Sequence, residues 1–321
     1  MKYLSLFSGI GGFELGIQQA HENNHSGTQK GMGTSRNNLQ SIIHKPNVVS
    51  WNERDISKPT CVGFSEIDKY ATQIYQKHFP EHKNYGDITK IKAEELPDFD
   101  FLCGGFPCQS FSIAGKRGGF RDTRGTLFFD IARILKAKHP RLVLLENVKG
   151  LLSHDEGRTF TTIIATLDEL GYDLEWQVLN SKNFGVPQNR ERVFIVGHLR
   201  GTRRPEVFPI TESNSKITRR IQGDVSGKGY ASQQDRVYFP DSLMGCLPAT
   251  RTENKVNILV EEMKIRRLTP KECERLQGFP DDWTLGVSDT QRYKCLGNAV
   301  TVNVIEAIIK KLSPPLSSAS D

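Results

Sequence analysis

Four short stretches carry side chains whose types and spacing could do chemistry. Residues 104–112 read GGFPCQSFS and set Cys108 behind a proline, just past the buried-looking run Phe99–Cys103. A cysteine is often a small apolar core filler. On a loop held by a sheet it is a candidate nucleophile, active as its thiolate. LLENV, residues 144–148, puts Glu146 at the exit of a second buried run. A carboxyl there could donate a proton or a hydrogen bond, although a lone Glu is more often a structural acid. PQNRER, residues 187–192, has Arg190 and Arg192 at alternate positions entering a third run. Both then point to one face and could hold a phosphate or a base carbonyl by paired donors; a solvated charge run is the commoner reading. LFSGIGGFELG, residues 6–16, runs from a strand through Gly9, Gly11 and Gly12 into a helix. Glycines allow close backbone approach to a ligand, and a helix start offers free N–H groups. The G-x-G-G spacing, rather than G-x-G-x-x-G, tilts away from a dinucleotide site. Glu66 and Asp87 each follow a strand candidate and could accept a ribose hydroxyl or an adenine amino hydrogen, with ordinary surface acids an even alternative.

These residues need a scaffold, and the chain supplies one. Apolar strand candidates Tyr3–Phe7, Cys61–Ser65, Phe99–Cys103, Leu142–Leu145, Leu174–Leu179 and Val193–Gly197 alternate with amphipathic runs Lys69–Phe79, Leu127–Ala137 and Phe160–Leu170. Such alternation predicts an α/β fold, an open and mainly parallel sheet with helices on both faces, whose ligands bind beyond the carboxyl ends of the strands. Residues 21–47, rich in Asn, Ser, Gly and His, read as a flexible surface insertion. Residues 199–266 mix Gly, Ser, Thr and Pro, carry a local excess of Lys and Arg, and read as the bulk of a second, smaller domain. Thr269-Pro-Lys-Glu272 is a capping box opening a further helix, and Ala299–Leu312 a last helix returning to the sheet. The division expected is 1–198 plus 285–321 for the large domain and 199–284 for the small one.

Composition narrows the class. The 321 residues are 25% charged and 37% hydrophobic, ordinary for a globular protein, and long enough for a sizeable core. No apolar run approaches the roughly 20 residues of a membrane span, and the N-terminus is a poor signal peptide, so a cytoplasmic location is expected. A net charge of +6 suits a polyanionic partner without requiring one. The six cysteines show no C-x-x-C spacing and read as free thiols; the pairs His21/His25 and His78/His82 read as exposed polar residues rather than metal ligands.

Taken together, FSGIGG, GGFPCQSFS, LENVKG, PQNRERVF, RLTPKECERLQGFP and YKCLGNAV, in this order and approximate spacing, make the chain resemble the DNA (cytosine-5) methyltransferases of bacterial, phage and restriction-modification type. The likeness covers most of residues 1–20, 60–198 and 266–312. It implies a Rossmann-like S-adenosylmethionine-dependent domain with a small target-recognition domain. It also implies methyl transfer to carbon-5 of a flipped-out cytosine in a short double-stranded DNA sequence, yielding S-adenosylhomocysteine without a metal. By resemblance Cys108 attacks carbon-6, Glu146 binds the ring nitrogen and exocyclic amine, Arg192 holds the base carbonyl, and Arg190 supports it or a backbone phosphate. Phe7, Gly9, Ile10, Gly11, Gly12, Glu66, Ile67, Asp87, Ile88, Leu127, Asn298 and Ala299 are the implied cofactor contacts. Double-stranded DNA is the implied partner, a restriction endonuclease acting on the same site an associated activity, and a monomer in the bacterial cytoplasm or nucleoid the expected state. The loop after Cys108, with Lys116, Arg117, Arg121 and Arg124 among its glycines, suits a basic lid.

Three other readings compete. An RNA-modifying branch of the same family carries a Cys-Phe-Thr signature, which this sequence lacks. A DNA-binding regulator that has lost catalysis would be expected to lack the cysteine, the glutamate or the glycine turn, and all three are present. A nicotinamide dehydrogenase would leave PCQ and ENV unexplained. Cys295 stands where the family often has Gln, and the recognition region is short.

Overall fold

The computed structural model describes residues 1–29, 58–107, 127–202, 204–211, 221–224, 236–239, 242–248, 257–259 and 265–312. Cys108, the lid residues 109–125 and most of the insertion, 30–47, lie outside the described residues.

Strands β1 (Lys2–Leu6), β2 (Thr60–Ser65), β3 (Phe101–Gly105), β4 (Leu142–Val148), β5 (Tyr172–Asn180) and β6 (Glu191–Leu199) form one sheet in the order β2-β1-β3-β4-β6-β5. The first four are parallel neighbours, and their near-continuous apolar runs reflect burial on both faces: Leu4, Leu6, Leu102 and Leu144 are fully buried. The α-helices among the described residues are α1 (Gly12–Gln29), α2 (Lys69–His78), α3 (Leu127–Lys138), α4 (Arg158–Glu169), α5 (Pro270–Leu276), α6 (Asp289–Asn298) and α7 (Val302–Leu312). One face of the sheet packs against α3 and α4 through Phe128, Ile131, Ile163 and Leu167; the other packs against α1 and α7 through Ile17, Ala20, Ile305 and Ile308. Strand order reverses at β1, between β2 and β3, which is where open α/β sheets hold ligands.

Strand β6 runs antiparallel between β4 and β5. The periodicity of an apolar run carries no direction, so the sequence left this open. The consequence for the site is large. In an all-parallel sheet the start of β6 would lie at the edge opposite the carboxyl end of β4. Antiparallel pairing sets Arg192 directly across from Val148, so both ends share one edge.

A second sheet, in the order β10-β9-β8-β7, is made of β7 (Ile221–Asp224), β8 (Arg236–Tyr238), β9 (Asn257–Leu259) and β10 (Ile265–Arg267). Tyr238 and Ile258 bury their side chains with Met244, Leu247, Leu268, Leu276 and Trp283 in a cluster that also takes in Ile10, Ala71 and Ile74 of the large sheet's layer. The capping box forms as the sequence predicts: Glu272 N–H donates to Thr269 Oγ1 (3.3 Å) and Thr269 N–H to Glu272 Oε2 (2.7 Å). Arg266 grips the same Glu272 carboxylate at 2.8 and 2.7 Å and, as the largest cause, pulls its pKa down to about 2.

Two sequence expectations need correction. Residues 21–29 belong to α1 rather than to a flexible insertion, because the helix continues along α7: Asn23 Nδ2 donates to Glu306 Oε1 at 2.6 Å. His78 and His82 are half-buried rather than exposed. His78 stacks on Trp283 with ring centroids 3.6 Å apart, and the His82 ring pairs with the Tyr75 hydroxyl at 3.0 Å.

Candidate active site

After Leu6 the chain turns through Phe7–Gly11 into α1. Gly9 and Gly11 take left-handed φ values of 56° and 89°, which glycine adopts without steric penalty. Ser8 N–H donates to Ser65 O at 3.2 Å and ties the turn to the end of β2. At Gly12 a Cβ would stand 2.8 Å from Val300 Cγ1, so the start of α1 lies directly on the C-terminal return. The Glu66 carboxylate gathers three backbone donors: Gly9 N–H at 2.9 Å on Oε2, with Ile67 N–H at 2.9 Å and Asp68 N–H at 2.8 Å on Oε1. A carboxylate offers about four acceptor sites, so capacity remains for a hydroxyl.

Asn84 brings Glu66 and Asp87 to the same edge. Its amide donates to Glu66 O (3.1 Å), and its Oδ1 accepts from Glu66 N–H (3.3 Å) and Gly86 N–H (2.8 Å). Asp87 caps the short turn Ile88–Lys90; Oδ1 accepts from Thr89 Oγ1 (2.8 Å) and Thr89 N–H (3.0 Å), and these bonds hold the carboxyl below its usual range. Ile67, whose N–H bonds the Glu66 carboxylate, is 77% exposed, an aliphatic surface beside that carboxylate. Leu127 opens α3 half-buried, and Asn298 ends α6 exposed.

Three expected cofactor contacts serve other ends with their side chains or carbonyls. Ile88 is buried in the core, and its carbonyl accepts from Arg133 Nη2 at 2.9 Å. Ile10 is buried too, and its carbonyl accepts from Trp283 Nε1 at 2.9 Å. Ala299 is buried and gives its carbonyl to Arg190. The remaining set, a glycine turn at a helix start, a carboxylate with spare acceptor capacity, an exposed isoleucine and a second carboxylate, fits a nucleoside bearing a charged amino-acid tail.

The chemical edge is built from β3, β4 and β6. Gly105 pairs with Glu146 across the β3–β4 ladder, and a Cβ on Gly105 would lie 2.9 Å from Glu146 Oε2. The glycine therefore makes room for the carboxylate. Glu146 faces Phe194 across β4–β6, which makes Arg192 its diagonal neighbour on the same face. Arg192 Nε meets Glu146 Oε1 at 3.0 Å, with both side chains largely buried. Asn147, itself buried, donates Nδ2 to Phe106 O at 2.9 Å and fixes the backbone two residues before Cys108. The sequence alone assigns this asparagine no role; its place beside Glu146 in the ENV motif is the available signal.

Arg190 departs from one arm of its expectation, the phosphate contact. It is 3% exposed and donates Nη2 to Ala299 O (2.8 Å) and Gly297 O (3.2 Å), so it fastens the end of α6 to β6 instead of reaching a phosphate. Burial lowers its pKa, and the neighbouring Arg192 charge adds to that. Gln188 acts alongside it: Nε2 donates to Leu276 O at 2.8 Å, while Asn189 N–H donates to Met244 O (2.9 Å) and Met244 N–H to Pro187 O (2.8 Å). Beneath the glycine turn, Glu14 is 1% exposed. The hydroxyls of Ser5 and Tyr75 are near enough to favour its charged form, yet neither carboxyl oxygen makes a hydrogen bond, and burial pushes its pKa up to about 7. Among the described residues no cluster of three or more His, Cys, Asp or Glu is arranged to hold a metal.

A model of the C-5 cytosine-specific DNA methylase family matches residues 1–257 and 210–314. The type II methyltransferase M1.ScrFI of Lactococcus lactis subsp. cremoris is 39% identical over 343 residues, covering 97% of this chain and 77% of that protein. M.NlaX of Neisseria lactamica, also a type II methyltransferase, is 38% identical over 345 residues, covering 100% and 98%. The crystal structure of the S. pombe Dnmt2 methyltransferase superposes with a TM-score of 0.70 at 21% identity, covering 99% of each chain, a likeness of fold. With the glycine turn, the Glu146–Arg192 pair and the end of β3 that leads into Pro107 on one sheet edge, the chain belongs to the C-5 cytosine-specific DNA methylase family.

Proposed function

We propose that this DNA (cytosine-5) methyltransferase works on a flipped-out cytosine in a short double-stranded sequence, with Cys108 as nucleophile. The observation that carries the reading is the Glu146–Arg192 pair at 3.0 Å, set beside the point where β3 leads into Pro107. Cytosine carbon-5 is a poor nucleophile. Addition of the Cys108 thiolate to carbon-6 makes it enamine-like, splitting one hard step into easier ones. Glu146 takes the ring nitrogen and the exocyclic amine, neutralising charge pushed into the ring, while Arg192 donates to the base carbonyl. The pair reads cytosine against thymine, whose carbonyl at carbon-4 would face the carboxylate. S-adenosylmethionine, held by the glycine turn, Glu66, Ile67 and Asp87, supplies the methyl group when bound. Loss of the carbon-5 proton to a base or water then lets the carbon-6 to sulfur bond break and returns the thiolate.

The segment 199–284 is assigned to target recognition, with residues 1–198 and 285–321 as the catalytic domain. Base flipping costs a few kcal/mol, which contacts from the basic loop after Cys108 and from the recognition segment would offset. Protection of host or phage DNA against a restriction endonuclease of the same site is the biological role that fits best, exercised by a monomer in the cytoplasm. No helix among the described residues is long and apolar enough to cross a membrane.

The test is bisulfite sequencing of plasmid DNA from cells expressing the protein, beside a Cys108→Ala control. Methylcytosine confined to one short motif and lost in the control is the expected result. Unmethylated DNA in cells holding soluble protein would sink the reading and turn attention to RNA.

A further inference from the structure

Residues 242–248 form a strip of the recognition segment laid along the entry to β6, and one side chain in it touches both arginines. Cys246 Sγ accepts from Arg190 Nη1 at 3.1 Å and lies 4.0 Å from Arg192 Nη2. Its own S–H points back to Leu247 O at 3.7 Å. The sulfur is thus an acceptor between two guanidinium groups, one fastened to the α6 terminus beside the cofactor contacts and the other paired with Glu146. Two like charges this close repel, and an acceptor placed between them reduces that repulsion. The strip cannot shift independently. Met244 N–H and O are both bonded to the 187–189 backbone, Gln188 and Met244 form a bridge, and Gln188 Oε1 accepts from Leu247 N–H at 3.5 Å.

We propose that Cys246 is a positioning residue for Arg192, so that the seating of the recognition segment on β6 sets the geometry of the Glu146–Arg192 pair. Arg192 Nη1 is bonded to Glu191 O at 2.8 Å and Nε to Glu146, and the Cys246 contact at Nη2 is a third point that holds the rigid, planar head in place. A recognition segment lifted from the entry to β6, strip included, would take the sulfur with it and let the Arg192 head shift from its place at the base. Sequence readout and chemistry would then share one contact. This inference rests on the reading that Arg192 holds the cytosine carbonyl.

The experiment compares wild type with Cys246→Ser, which keeps an acceptor, and Cys246→Val, which keeps the bulk and removes it. Initial rates of tritiated methyl transfer from S-adenosylmethionine into unmethylated plasmid DNA are measured for each. Cys246→Val should lose roughly tenfold in kcat, since misplacement of a positioning group by an ångström is worth that much or more. KM for DNA and for S-adenosylmethionine should stay near wild type, and Cys246→Ser should recover most of the rate. Equal kcat in Cys246→Val and wild type would overturn the proposal, as would a rise in KM for DNA with kcat intact. If Cys246→Val does not fold, Cys246→Ala is assayed in its place, and a Cys246→Ser of wild-type melting whose rate is as low as that of Cys246→Ala would overturn it too. A wild-type protein that transfers no methyl group would instead remove the underlying reading, and this inference with it.

Discussion

At the scale of single residues, the site pairs two groups whose charges fix each other's place. Glu146 and Arg192 are diagonal neighbours on adjacent strands, and neither side chain has much water to compete for it. Replacing Glu146 by Gln keeps the shape and removes both the carboxylate and its proton-carrying ability. A loss of at least about 100-fold in kcat is expected, with KM for S-adenosylmethionine unchanged, as steady-state methyl transfer would show. Glu14 makes a different prediction. Unfolded, its carboxyl ionises near 4.5; folded, near 7. Between those values only the folded state holds the proton, so this group's contribution to stability falls as pH rises through the window. Glu14→Gln should therefore melt higher than wild type at pH 8, by about 3 kcal/mol at most, and no higher at pH 4. Melting curves across that range check it; an equal gain at both ends would show that the effect is packing rather than ionisation.

At the scale of elements, register places the chemistry. Gly105 opposes Glu146, and its missing side chain is the space the carboxylate fills. Gly105→Ala should push Glu146 aside and cost roughly ten- to a hundredfold in kcat, while the melting temperature moves by little. A methyltransferase assay beside a melting curve separates the two. The strands around this pair were legible beforehand, because β1, β3 and β4 are buried on both faces and read as unbroken apolar runs. The direction of β6 was not, since an apolar run looks the same read from either end. Nor was the length of α1 beyond residue 20, where polar side chains hide a helix held by α7. Of the site, Glu66, Glu146 and Arg192 could be picked out as polar residues at strand ends, whereas Asp87 follows α2 and caps a short turn rather than ending a strand. Arg190 could not be told from Arg192: alternation puts both on one face, and only the long-range contacts to Gly297 and Ala299 bury one of them. Cys246 carried no local signal, because its partners lie more than fifty residues away.

At the scale of the molecule, the two sheets are joined through a shared apolar cluster and through the strip at 242–248. The catalytic edge is thus assembled from segments far apart in the chain, including the C-terminal return that packs on Gly12. A net charge of +6 is modest for a DNA-binding protein. Binding should still weaken by at least about tenfold as salt rises from roughly 50 to 200 mM, through counterion release from the phosphates. Fluorescence anisotropy with a labelled duplex measures this, and a flat salt dependence would argue against phosphate contacts.

A covalent bond between Cys108 and cytosine underlies the whole proposed reaction. It is tested most directly by incubating the protein with S-adenosylmethionine and duplex DNA carrying 5-fluorocytosine, then mapping the adduct by peptide mass spectrometry. Fluorine at carbon-5 cannot leave as a proton does, so the bond to sulfur should persist. One adduct is expected, on the peptide containing Cys108 and dependent on S-adenosylmethionine. An adduct on Cys246 or another cysteine, or none from a protein that methylates ordinary DNA, would contradict it.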